Sequence, residues 1–173
     1  GILKTSSSSD GSISKIIYDP LGRTSHEGYK NLNREYTVKS TEYNIYDQPV
    51  KVHKNYIDGN TPEVWDELQY DVYGRLTQAN HLKSISSAGK TVTYTYNGLT
   101  TTENDGLKIK TTINNASGQV ISLNDNPGET ITYDYFANGN LRKAYLNGGV
   151  LEIKQDAFGR RKTLIDPSAG TRN

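Results

Sequence analysis

Hydrophobic and polar residues alternate with period two along most of this chain. Val92, Tyr94 and Tyr96 share one side and Thr91, Thr93 and Thr95 the other, while Ile131, Tyr133 and Tyr135 oppose Thr130, Thr132 and Asp134. The pairs Ile16 with Tyr18, Tyr36 with Val38, and Leu151 with Ile153 repeat the pattern. A strand whose two faces meet different surroundings shows this period, whereas an amphipathic helix would return its apolar residues every three to four positions. No window does so. Turn signals recur at about 8–12 residues, which predicts an all-β antiparallel meander of ~12 to 15 short strands.

One turn pattern is copied along the chain. Its clearest forms are Tyr18-Asp19-Pro20-Leu21-Gly22-Arg23, Tyr70-Asp71-Val72-Tyr73-Gly74-Arg75 and Gln155-Asp156-Ala157-Phe158-Gly159-Arg160. Weaker copies run from Tyr43 through Asp47, from Asn114 through Gly118, and from Tyr135 through Gly139, with a truncated one at Tyr96-Asn97-Gly98-Leu99. The turn residues stand at 22, 47, 74, 98, 118, 139 and 159, so successive copies lie 25, 27, 24, 20, 21 and 20 residues apart. Such a period marks an array of about seven repeats that bury their faces against their neighbours. In each copy Tyr closes a strand with a broad packing face, and Asp accepts an amide hydrogen bond that starts a turn. Gly, or Asp47 in its place, takes positive φ, and Arg, Gln or Asn opens the returning strand. Replacing Gly74 with Val should therefore cost more than replacing Gly89 with Ser, since Gly89 stands in a looser turn.

A second set of turns falls between the first, at Asp10-Gly11, Asp58-Gly59-Asn60, Ala88-Gly89, Asp105-Gly106, Asn126-Pro127-Gly128 and Asn147-Gly148-Gly149. Each repeat is then two strands and two turns. Residues 27–33 leave the bend open between Gly28 and the Asn31-Leu32-Asn33 segment. Residues 1–11, with Ser6-Ser7-Ser8-Ser9, read as a flexible lead-in or expression remnant, and residues 12–173 as the repeat domain. A first residue of Gly and the absence of Met suggest a piece excised from a larger protein.

Composition narrows the function. Hydrophobic residues make up 33% of the chain, but 13 tyrosines add apolar area, so a thin tyrosine-rich core is expected rather than disorder. A net charge of +1 gives no basic face for nucleic acid, and Arg160-Arg161-Lys162 reads as a solvated strand edge. No membrane-spanning segment is present in the sequence, so membrane insertion is not expected. The absence of cysteine removes disulfides, thiolate metal sites and cysteine nucleophiles together.

On the motif at 18–23, 70–76 and 156–160, with degenerate copies over most of 14–165, the chain resembles the YD-repeat, or Rhs-repeat, family. The resemblance implies strips of antiparallel sheet that spiral into a hollow shell. In bacterial toxin complexes and polymorphic toxins that shell encloses a C-terminal toxic domain; in animal teneurins a related barrel serves a cell-adhesion receptor. Members that release cargo carry paired Asp-Pro-x-x-Gly elements at the end of the shell. Here Asp166-Pro167-Ser168-Ala169-Gly170 stands alone, and Asp19-Pro20-Leu21-Gly22 lies far upstream, so Asp166 reads as a turn residue and cleavage is not carried over.

No residue is assigned a catalytic, cofactor or metal role. Asp19, Asp71 and Asp156 recur once per motif, as a structural residue would. His26, His53 and His81 lack a second ligand at metal spacing. The residues assigned to the repeat are Tyr18, Asp19, Gly22, Arg23, Tyr43, Asp47, Tyr70, Asp71, Gly74, Arg75, Gly98, Gly118, Tyr135, Gly139, Asp156, Gly159 and Arg160. Trp65, in the longest interval of the array, is either a strand anchor or a platform for a sugar ring. Two functions follow: a non-enzymatic segment of a secreted or surface bacterial shell around a toxin or effector, partnered by its own polypeptide, or a glycan-binding adhesive module. The strip is expected to be open and curled, with unpaired edges that invite self-association.

Overall fold

The computed structural model describes residues 1–7 and 13–172. These residues form seventeen strands and no helix: β1 (Ile2–Ser7), β2 (Ile13–Tyr18), β3 (Thr24–Lys30), β4 (Tyr36–Tyr43), β5 (Pro49–His53), β6 (Tyr56–Ile57), β7 (Val64–Tyr70), β8 (Leu76–Ser84) and β9 (Lys90–Asn97), then β10 (Thr100–Asn104), β11 (Ile109–Asn114), β12 (Val120–Asn126), β13 (Thr130–Tyr135), β14 (Leu141–Leu146), β15 (Gly149–Gln155), β16 (Arg161–Asp166) and β17 (Gly170–Arg172). The protein is an all-β antiparallel meander. Ile2–Ser7, placed in a flexible lead-in by the sequence, instead pairs along β2 from Ile2↔Tyr18 to Ser7↔Ile13. Six consecutive residues, Ile2–Ser7, are thus held as an extended strand along β2. The expected Asp10-Gly11 turn lies outside the described residues. Together with the very short β6 and β17, β1 takes the strand number above expectation.

The strands divide into two compact units, residues 1–93 and 94–173. In the first, neighbours in sequence pair antiparallel from β1 to β4, and β7 to β9 continue in order. Between them β4 forks: Thr37 and Val38 pair with β6, while Thr41 to Tyr43 pair with β5, which then pairs with β7. In the second unit β10 to β17 pair in strict order. The first and last strands of a unit are not paired with each other among the described residues, so neither unit closes into a barrel.

The core is thin. Among the described residues the buried apolar side chains are Val38, Ala79 and Val92, all in the first unit. Val38 is completely buried because Gly28 opposes it across the β3–β4 ladder; a Cβ there would stand 2.7 Å from a Val38 methyl. Gly28 is thus a close-packing residue and not a bend. The bend comes at Asn31, whose amide bonds the Glu35 carbonyl while the Arg34 amide bonds back to Asn31. Elsewhere the period-two pattern holds as burial: Val92 is buried and Thr91 and Thr95 exposed, and Thr130 and Thr132 are exposed where Ile131 and Tyr133 are half-buried.

Candidate functional site

The repeated turn has one hydrogen-bond frame. At Asp19 the main-chain amide bonds the Arg23 carbonyl at 2.8 Å, and the Gly22 amide bonds the Asp19 carbonyl at 3.0 Å. The Asp19 carboxylate then accepts the Leu21 and Arg23 amides through one oxygen, each at 2.9 Å, and the Arg23 guanidinium through the other at 2.6 Å. Asp71 with Arg75 and Asp156 with Arg160 repeat every bond. Asn44 and Asn115 do the same with a side-chain carbonyl, and their amide groups hold Gln48 and Gln119 in place of the guanidinium. Three loop residues with the last in the left-handed region make a hairpin of the type I turn and bulge kind. Gly22, Gly74, Gly118, Gly139 and Gly159 occupy that position at φ of 79–87°, and Asp47 and Arg34 occupy it at 63° and 64°. Gly98 is different: strands β9 and β10 are separated only by Gly98 and Leu99, a two-residue loop without the Asx bond.

Partial burial pushes the Asp19 and Asp71 carboxyls up, but the amide and guanidinium bonds from Arg23 and Arg75 outweigh it and hold both below the usual carboxylate range. At Asp156 the Arg160 amide leads and the direction is the same. These carboxylates are occupied by their own turns. Asp166 is occupied too, accepting the Ser168 amide at 2.8 Å, its hydroxyl at 2.6 Å and the Ala169 amide at 3.3 Å.

Bonds from one repeat to the next form a spine along each unit. The residue after the glycine reaches forward: Arg23 donates to the Asn44 carbonyl and the Asp47 carboxylate, Gln48 to the Gly74 carbonyl, Gln119 to the Gly139 carbonyl at 2.7 Å and Asn140 to the Gly159 carbonyl. The motif tyrosine reaches back. Tyr43, Tyr70 and Tyr135 donate their hydroxyls to the carbonyls of Thr24, Pro49 and Val120, each the first residue of the returning strand in an earlier copy.

Around Trp65 a polar cluster joins β4 to β7. Ser40 Oγ and His53 Nδ1 are 2.8 Å apart, and Tyr56 donates its hydroxyl to Ser40 at 3.1 Å, which leaves the Ser40 proton for the imidazole. The His53 ring meets Tyr56 and Trp65 edge-on, and Glu42 lies 3.7 Å from Nε2. Burial pushes the His53 pKa down, aided by Lys51 and His26 and opposed by Glu42. Lys51 lies 4.3 Å over the Trp65 ring, and the indole N–H is buried with no partner among the described residues. One face of the indole is therefore covered by an ammonium group. Among the described residues no group of three or more His, Asp or Glu side chains could hold a metal ion.

The second unit carries an apolar groove of about 340 Å3 along one sheet face, lined by Ile131, Tyr133, Ala144, Leu146, Leu151 and Pro167.

An antiparallel meander of hairpins tied turn to turn defines the class as an all-β repeat protein. No family model matches the chain, and no curated protein matches it significantly. Solved structures share its fold. The crystal structure of TcdB2-TccC3-TEV aligns with 95% of this chain and 12% of its own, at 11% identity and a TM-score of 0.57. TcdB2-TccC3 without its hypervariable C-terminal region aligns with 92% and 11%, at 12% identity and 0.58. A Photorhabdus luminescens Tc holotoxin pore with a TccC3 mutation aligns with 97% and 12%, at 13% identity and 0.58. The chain spans 11–12% of the length of these proteins, and at such identity the likeness is one of fold.

Proposed function

We propose that this chain is a non-catalytic segment of a YD-repeat wall, carried by a secreted or surface-displayed bacterial protein and enclosing a toxin or effector domain of the same polypeptide. The observation that carries the reading is the turn spine. Its polar groups are spent on holding one repeat against the next, which is what a wall requires and what a catalytic cleft would not leave room for. A single sheet layer cannot bury both faces, and the apolar groove over β13 to β15 presents a face suited to lining an enclosed space. The fold likeness to Tc toxin chains supports the same reading. Trp65 acts here as an anchor between β5 and β7, because Lys51 occupies its face.

The test uses the parent polypeptide. Its downstream domain should resist added protease, and should become digestible when Gly22→Val and Gly74→Val together break two turns of the wall. Equal digestion of the two proteins would sink the proposal.

A further inference from the structure

Three Asn-Gly pairs stand in hairpin turns of the second unit: Asn97-Gly98, Asn138-Gly139 and Asn147-Gly148. Turns select this dipeptide because Asn and Gly enter the left-handed region most readily. The same dipeptide is a chemically weak point of a main chain. With no side chain in its way, the glycine amide nitrogen can attack the asparagine side-chain carbonyl carbon; a C–N bond closes a five-membered succinimide, and ammonia leaves with the amide proton. Water then opens either carbonyl of the ring. The product is aspartate or, where the main chain is rerouted through the side chain, isoaspartate. Ring closure requires the asparagine to rotate about its main-chain and side-chain bonds, so a site reacts only as far as those bonds are free.

The three pairs differ in that freedom. At Asn138 both reacting groups are engaged: Nδ2 donates to Gln155 Oε1 at 3.0 Å, Oδ1 accepts the Asn140 amide at 3.1 Å, and the Gly139 amide bonds the Phe136 carbonyl at 2.9 Å. Asn97 is exposed, but it ends β9, whose ladder with β10 holds its main chain. At Asn147 neither restraint applies. Leu146 pairs with Gly149, so Asn147 and Gly148 are the whole loop between β14 and β15, both exposed, at φ of 52° and 74°. Neither the Asn147 carboxamide nor the Gly148 amide has a hydrogen bond among the described residues.

We propose that Asn147-Gly148 is a site of spontaneous succinimide formation whose isoaspartyl product loosens the β14–β15 hairpin. A two-residue loop fits the twist of its strands when both residues take positive φ, as they do here. Isoaspartate adds a methylene to the main chain and removes that fit. The flanking Leu146 and Gly149 line the apolar groove, so the modification also sets a new carboxylate at the edge of an apolar surface. The inference stands independently of the wall reading.

Peptide mapping by mass spectrometry on the chain aged at mildly alkaline pH tests it. Asn147 should convert first, at least about tenfold faster than Asn138, whose hydrogen bonds must break before it can react, with Asn97 between the two. In denaturing urea the three rates should converge. Gln155→Ala should speed conversion at Asn138 and leave Asn147 unchanged. The aged chain should lose amide-exchange protection at Leu146 and Gly149, whereas aged Asn147→Gly, which can form the turn but cannot cyclise, should keep it. Three results would overturn the proposal: conversion at Asn138 as fast as at Asn147, no conversion at Asn147 in the folded chain while the urea-unfolded chain converts there, or equal protection in the aged wild type and the variant.

Discussion

His53 shows how much a single side chain decides in so thin a core. It is buried between Tyr56 and Trp65, accepts its hydrogen bond from Ser40, and stands near Lys51, Glu42 and His26. Burial comes first among the causes that hold its pKa below the ordinary histidine value of 6.5. Above that value both the folded and the unfolded chain carry a neutral imidazole. As pH falls through it, the unfolded chain takes up a proton first, so stability present at neutral pH is lost until the folded ring also titrates. Protonation at Nδ1 would turn an acceptor into a donor and strand the Ser40 hydroxyl proton. The urea midpoint should therefore fall as the pH is lowered through the ordinary histidine value. His53→Asn keeps an acceptor near the Nδ1 position and should flatten the fall; an unchanged slope in the variant would show that His53 is not its source.

At the scale of strands and turns, Gly74 and Gly89 differ in what an added side chain would meet. Gly74 sits at φ 81° with no main-chain atom close to where a Cβ would stand, only the side-chain amide of Gln48 at 3.0 Å, so Gly74→Ala should cost about 1–2 kcal/mol, chiefly for the left-handed backbone. Gly89 combines φ 73° with main-chain contact: a Cβ would stand 2.2 Å from the His81 carbonyl oxygen. Gly89→Ala should thus shift the urea midpoint further than Gly74→Ala, a consequence of close main-chain packing at Gly89 that the motif does not encode. The spine gives a second test. Gln119→Ala removes a bond to a carbonyl 20 residues away and should cost about 0.5–1.5 kcal/mol while speeding hydrogen exchange at Gly139. Exchange unchanged at Gly139 would mean that the turns are not coupled. The hairpins at Gly22, Gly74 and Gly159 were legible because a single residue sets each turn. The frame at Asn31 was not, since Arg34 fills the left-handed position without the usual signal. The tyrosine hydroxyls escaped for another reason: Thr24, Pro49 and Val120 become their partners only once the repeats stack. Likewise the alternation at Trp65 marked a strand but gave no sign that Lys51 would cover the ring.

Over the whole chain, stability should follow the uneven distribution of buried side chains rather than the even spacing of the turns. A repeat protein gains its stability from the intrinsic terms of each unit plus the contacts with its neighbours, so regions of one chain can open at different free energies. The first unit holds Val38, Ala79 and Val92 together with the buried Lys15, Ser40, His53 and Asn80; in the second, no described residue is as deeply buried. Both units have comparable ladders and turn frames, so hydrogen bonding alone would predict equal protection. Burial predicts otherwise, because each apolar side chain removed from water adds about 1.5–3 kcal/mol that half-exposed residues realise only in part. Native-state hydrogen exchange should find the slowest amides in β4 and β8, around Val38 and Ala79, and faster exchange throughout β13 to β16. Uniform protection across the two units would mean that the ladders and the spine carry the stability, and that the buried cluster at Val38 contributes no more than the tyrosine face of any other repeat.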